Sequence, residues 1–306
     1  MATYYIDPTG VDDAGRDGLT LGEAWAKLSY ACTRAVTAGD IIHVNAGTYA
    51  EDARCDLALG VSIVGEGETL SIINTTYNPG AATNWDGALY IRSAAKTDSN
   101  QSVSYIQWTG TGLTAWQAIY VANRHRVKIH HCIIKDFRDR GVYFWGDADT
   151  TGTYINGSEV HDCTIKNSGL RSNPVYGAGN LHFEGQDGML IYNNTFDLLD
   201  RAAGATYGNN ISTGDGWNKN VIINNNKFYS LADSGAGWNM AIEHWDSKGG
   251  IEIYDNEIYG GGTLDMGGYN NVKGASDFSF WVHDNYWNRG STQPFNAARE
   301  YPAIYI

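Results

Sequence analysis

The chain has 306 residues, a formal net charge of −13, 42% hydrophobic residues, 37 glycines and only 5 prolines. That acidic balance argues against nucleic acid, whose affinity comes mainly from Lys and Arg on phosphates, and against anionic membranes. An anionic polysaccharide would also be repelled unless a cation such as Ca²⁺ bridged it.

No run of 18 apolar residues occurs, so no transmembrane helix is expected. The opening MATYYIDP lacks the basic start and apolar core of a signal peptide. An extracellular or virion-associated location therefore implies a signal already removed or another route out of the cell.

Residues 1–50 predict a cap. Tyr4-Tyr5-Ile6 reads as a first strand. A helix is expected over 21–38, because Ala24, Leu28, Ala31, Cys32 and Ala35 share one apolar face. Gly39 ends it, and Ile41–Val44 begins the next strand. Over 51–117 the pattern is irregular. Strands are expected at 61–64 and 71–73. A polar loop is expected over 78–102, with a strand at 88–91, and the coil resumes at 103–108.

From 118 to 287 the chain repeats itself. VKIHHCII (127–134), SEVHDCTI (158–165), MLIYNNTF (189–196), VIINNNKF (221–228), IEIYDNEI (251–258) and FSFWVHDNYW (278–287) align in columns. One column is Ile129, Val160, Ile191, Ile223, Ile253 and Val282, with successive differences of 31, 31, 32, 30 and 29. A second is His131, Asp162, Asn193, Asn225, Asp255 and Asp284. A third is Cys132, Cys163, Asn194, Asn226, Asn256 and Asn285.

Self-similarity at this period marks a solenoid, and the apolar–polar alternation is that of strands. Equivalent strands should stack in parallel from rung to rung. The third column suits Asn twice over. Asn tolerates the left-handed backbone of a sharp bend, and stacked amides can bond along a ladder. Cys132 and Cys163 occupy that column on adjacent rungs, near enough for a disulfide, although two stacked buried thiols are the favoured expectation. Cys32 and Cys55 have no metal-ligand spacing.

This rung pattern resembles the right-handed parallel β-helices of the pectate-lyase-like superfamily. The segments YYIDPTG, Gly39–Val44 and Ala46-Gly47-Thr48-Tyr49 are similar to the cap that opens many such chains. The resemblance implies one all-β domain over 1–306 with an N-terminal capping helix, and a C-terminal segment at 288–306. It implies no single activity, since that superfamily includes lyases, hydrolases, epimerases, binding proteins and phage tail proteins.

Each regular rung also needs a strand before the repeat strand. These are expected at 119–121, 142–145, 181–184, 210–213, 241–245 and 271–273. Longer insertions at 166–179, 198–209 and 229–239 are expected to build a binding face. Charge collects on these strands. LHFEG places Leu181 and Phe183 inward, so His182 and Glu184 face out. Asp215 lies in STGDGW; Glu243, His244, Trp245 and Asp246 lie in AIEHWDS; and Lys273 lies in VKG. Consecutive rungs put them at steps of about 4.8 Å. Carboxylates one or two rungs apart match the geometries of paired-carboxylate glycoside hydrolysis.

Two registers are open at 241–247. Counting back from the Asn column pairs His182 with His244 and Glu184 with Asp246. Inward alternation pairs His182 with Glu243 and Glu184 with Trp245. A slip of one residue reverses the face.

The expected function is cleavage of a polysaccharide glycosidic bond, by hydrolysis ahead of elimination. For hydrolysis no cofactor is required: Glu184, Asp215 and Glu243 would act as acid, base or nucleophile. Tyr143, Trp145, Trp217, Trp238 and Trp245 would offer apolar faces to sugar rings. For elimination, Lys273, His182, His244 or Arg171 would be the base, and Glu184, Asp215 and Asp246 would hold Ca²⁺. The rival is a non-catalytic glycan-binding or structural protein such as a phage virion or tail component. A monomer or a homotrimer is expected, the trimer by analogy with phage tail β-helices. The NRHRVKIHH stretch puts His130 and His131 side by side, either as a metal-binding pair or as a hydrogen-bonded turn.

Overall fold

A computed structural model describes residues 1–80, 86–110, 115–169, 179–199, 208–214, 217–230, 240–244, 247–260, 264–266, 279–288 and 304–305. The chain coils so that equivalent strands stack in parallel on three faces. The first face carries Arg140–Trp145, Gly179–Phe183, Asn209–Thr213, Ile242–Glu243 and Leu264–Asp265. The second carries Thr3–Ile6, Ile41–Val44, Glu159–His161, Leu190–Tyr192, Ile222–Asn224, Ile251–Tyr254 and Phe280–His283. The third carries Ile133–Lys135, Thr164–Lys166, Thr195–Asp197, Lys227–Ser230, Glu257–Gly260 and Tyr286–Asn288. Two long strands, Gly87–Ser104 and Gln117–His130, run through both the first and second faces.

The repeated apolar column is a true structural column. Ile129, Val160, Ile191, Ile223, Ile253 and Val282 are direct register partners. The first five are fully buried, each contributing about 1.5–3 kcal/mol of apolar burial. Phe196 and Phe228 stack on the third face with ring centres 5.2 Å apart.

The two roles expected of the Asn column are divided between neighbouring columns. The left-handed backbone belongs to His131, Asp162, Asn193, Asn225, Asp255 and Asp284, with φ between 51° and 57°. That bend splits each repeat strand between the second and third faces. The next residue forms the ladder. Asn194 donates its amide to Asn226 Oδ1 (2.9 Å), Asn226 to Asn256 Oδ1 (3.0 Å) and Asn256 to Asn285 Oδ1 (2.9 Å). The same oxygens accept backbone N–H groups from the preceding rung. Polar groups can sit in this core because each finds a partner. Cys132 and Cys163 continue the column as free, buried thiols.

Two local expectations change. The cap helix over 21–38 shrinks to a 3-10 turn at Leu21–Glu23 and an α-helix at Leu28–Arg34. Trp25 bridges to Ile6 between them and is buried. The apolar face nonetheless holds, with Ala24, Leu28, Ala31, Cys32 and Ala35 all buried. Lys27, at the N-cap, cannot cap the helix. Glu51 does so from a neighbouring strand, accepting the Leu28 and Ser29 N–H groups at 2.7 and 3.3 Å. The polar stretch within 87–102 is strand rather than loop, because its neighbour Gln117–His130 pairs it across two irregularities. Polar composition marks its exposed positions, not a lack of backbone pairing.

Candidate active site

On the first face, inward residues Leu89, Ile119, Val142, Leu181, Ile211, Ile242 and Leu264 are all fully buried. The residues after them point away from that core and form one continuous column. Register partners run Tyr90, Tyr120, Tyr143, His182, Ser212, Glu243 and Asp265. Of the two open registers, inward alternation is the one realised: His182 and Glu243 share a column two rungs apart.

This outcome moves His244 out of the candidate site. It lies inward, fully buried, with its ring 5.8 Å from Phe183 and 5.4 Å from Phe280. Neither ring nitrogen has a hydrogen-bond partner among the described residues. Burial drives its pKa down to about 3. Such an imidazole is neutral core, not a base for substrate. The rung after Ile242–Glu243 is Leu264–Asp265, not 271–273. Lys273 lies outside the described residues, as do Asp215, Asp246, Arg171, Trp238 and Trp245.

His182, Glu184, Ser212 and Tyr143 form one network. His182 Nε2 lies 2.8 Å from Glu184 Oε1, and His182 Nδ1 lies 2.8 Å from Ser212 Oγ. Tyr143 donates its hydroxyl to the same Glu184 oxygen at 3.0 Å. A carboxylate accepts only, so Nε2 of His182 carries the proton that bonds Glu184, while Nδ1 faces the Ser212 hydroxyl. Burial first, and then the Arg140 charge, push the His182 pKa down to about 4, against the pull of Glu184. Burial alone would raise Glu184. The bond and charge of His182, the Arg140 charge and the Tyr143 hydroxyl outweigh it and hold Glu184 below its ordinary range. Arg140 is itself buried, paired with Asp139 at 2.9 Å and 4.6 Å over the Tyr143 ring. Both His182 nitrogens are thus engaged inside the wall, one with Ser212 and one with Glu184.

Glu184 fits because the facing residue is glycine. A Cβ on Gly214 would lie 2.1 Å from Glu184 Oε1.

Further along the column, Glu243 and Asp265 sit side by side on adjacent strands. Asn209 donates its side-chain amide to Glu243 Oε2. Burial first, and the Asp265 charge second, raise the Glu243 pKa to about 8, and the Asn209 bond does not offset them. At neutral pH Glu243 holds its proton beside a second carboxyl group. This is the separation of roles that acid–base chemistry needs.

The column is not an open groove. Tyr143, His182 and Ser212 are almost wholly buried, Glu243 is 7% exposed and Asp265 6%. Tyr143 is therefore part of the wall rather than a sugar platform. Trp145 is half-buried beside it. Trp217 is half-buried with the Lys248 ammonium 3.6 Å from its ring centre.

Asp265, Ser212 and Asn209 were not legible as site residues in the sequence. Asp265 follows Glu243 by 22 positions, short of the repeat period of the second face. The signal that finds it is local: Ile242-Glu243 and Leu264-Asp265 are the same apolar–acid pair.

The sequence matches no protein-family model and no curated protein. Among solved structures, the chain is similar to pectin methylesterase from carrot (13% identity, TM-score 0.57, covering 95% of this chain and 85% of that one). It is also similar to an alginate lyase from Paenibacillus sp. str. FPU-7 (15% identity, TM-score 0.53, covering 85% and 92%). A third is a pectin methylesterase in complex with hexasaccharide VII (13% identity, TM-score 0.52, covering 95% and 91%). The fold is a right-handed parallel β-helix. At such identities the likeness is one of fold, and activity has to be argued from the site.

Proposed function

We propose that this β-helix acts on a polysaccharide, cleaving a glycosidic bond by hydrolysis at the first face. The observation that carries the reading is the Glu243–Asp265 pair in direct register, where burial and the Asp265 charge raise the Glu243 pKa. Glu243 would donate its proton to the leaving oxygen while Asp265 attacks the anomeric carbon; a water deprotonated by the Glu243 carboxylate would then displace Asp265 from the sugar, restoring both groups. Adjacent strands are about 4.8 Å apart, close to the roughly 5–5.5 Å of double-displacement glycosidases, so retention of configuration is expected. The pectin methylesterases and alginate lyase of similar fold support a polysaccharide as substrate. The net charge of −13 favours a neutral polymer. Glu243 and Asp265 are buried, so the reading requires the pair to become accessible to the polymer.

That burial also favours a second reading, a glycan-binding protein whose polar column is structural. The two separate on a panel of neutral and anionic polysaccharides, with and without Ca²⁺. New reducing ends, abolished in Glu243→Gln and Asp265→Asn, support hydrolysis. Absorbance of unsaturated uronate that needs Ca²⁺ would replace hydrolysis with elimination. Binding without either product would leave the second reading.

A further inference from the structure

A separate cluster lies at the corner between the second and third faces, away from the Glu243–Asp265 column. His131, His161 and Asp162 sit there on adjacent rungs, half-buried, each offering one ligand atom, and these atoms all lie within 4.8 Å of one another. Around a tetrahedral ion with bonds of about 2.0 Å, ligand atoms lie about 3.3 Å apart. Small side-chain rotations would therefore close the set.

The surroundings hold these groups in place. His130 and His161 stack with ring centres 4.9 Å apart, and His161 stacks on Tyr192 at 4.7 Å. Tyr105 stacks on His131 at 4.7 Å. Asp162 Oδ2 lies 2.7 Å from His161 Nδ1, while its other oxygen accepts the Asn193 amide at 3.2 Å. His130 Nδ1 lies 3.1 Å from His131 Nδ1. The lateral ion pair of Lys128 with Glu159, at 2.6 Å, keeps the ammonium engaged outside the cluster.

The repeat itself shows that this corner departs from its column. The left-handed position holds Asp or Asn on the four rungs from Asn193 to Asp284, but His at 131. The backbone needs no imidazole there. Two imidazoles and one carboxylate, partly open to solvent, form the donor set of a borderline divalent transition ion that keeps water in its remaining positions.

We propose that His131, His161 and Asp162 form a binding site for one divalent transition-metal ion of the Zn²⁺ class. The test is titration of the full chain with Zn²⁺ by calorimetry, checked by competition with a chromophoric chelator. The neighbouring rungs supply substitutions that the fold already accepts. His131→Asn installs the residue found at 193 and 225. His161→Tyr installs the residue found at 192. Both keep the bend and the stack but remove a ligand.

One Zn²⁺ per chain is expected, weakened at least about tenfold by either substitution. His283→Ala should leave it unchanged, because His283 lies four rungs on from His161 in the same column. No saturable binding, or binding that neither substitution weakens while both variants keep the wild-type circular dichroism, would overturn the proposal. Loss of binding in His283→Ala alone would also overturn it.

Discussion

Glu243→Gln tests whether the first-face column is a closed wall. The unfolded chain ionises Glu243 near 4.5, whereas the folded chain retains the proton up to about 8. Between those values unfolding releases a proton, so stability falls as pH rises, by about 1.4 kcal/mol per pH unit. The full loss above pH 8 is on the order of 5 kcal/mol. Below pH 4.5 both states are protonated and Glu243 contributes no pH dependence.

Gln keeps the size and still accepts the Asn209 amide, but it cannot ionise. The expected result is near-equal stability of the two proteins at pH 5. At pH 9 Glu243→Gln should be more stable by up to about 5 kcal/mol. His182 acts the other way. Its pKa is depressed to about 4, so its contribution is complete above about 6.5 and is lost as pH falls towards 4. It is common to both proteins and cancels in the difference. Urea unfolding at pH 5, 7 and 9, followed by tryptophan fluorescence, reads the effect. Parallel stability curves across that range would refute the reasoning, since Glu243 would then be ionising as a solvated side chain.

His244→Phe is expected to raise stability by about 1–3 kcal/mol, because it replaces two buried nitrogens that have no partner among the described residues with carbon; a fall in the urea midpoint would show that the imidazole has a partner. Asn226→Ala should cost on the order of 3 kcal/mol, leaving the Asn194 N–H, the Asn194 amide and the Ile191 carbonyl without their partner. An unchanged thermal midpoint would count against the ladder. Gly214→Ala should fold, since the atom it displaces is the end of the Glu184 side chain. It should break the Glu184 contacts with His182 and Tyr143, seen as changed His182 imidazole NMR shifts. Unchanged shifts would mean that Glu184 is not seated as described.

The β-helix and its second-face core were legible in the sequence because a stacked solenoid repeats one local environment on every rung. Ile129 to Val282 and the Asn column are a single physical constraint written six times. The apolar faces of the cap were legible for the same reason, though the helix ends were not, because its cap comes from Glu51 in another strand. His182 and Glu184 could be marked as outward by alternation, whereas Glu243 stood between two registers. What alternation could not supply was the count between rungs of the first face, where insertions of unequal length separate the strands. Only the tertiary pairing decided that Glu243 meets Asp265, that His244 turns into the core, and that His131 closes on His161 and Asp162. Those are contacts across neighbouring rungs, and their chemistry depends on burial, which strand pairing creates and a linear pattern does not contain.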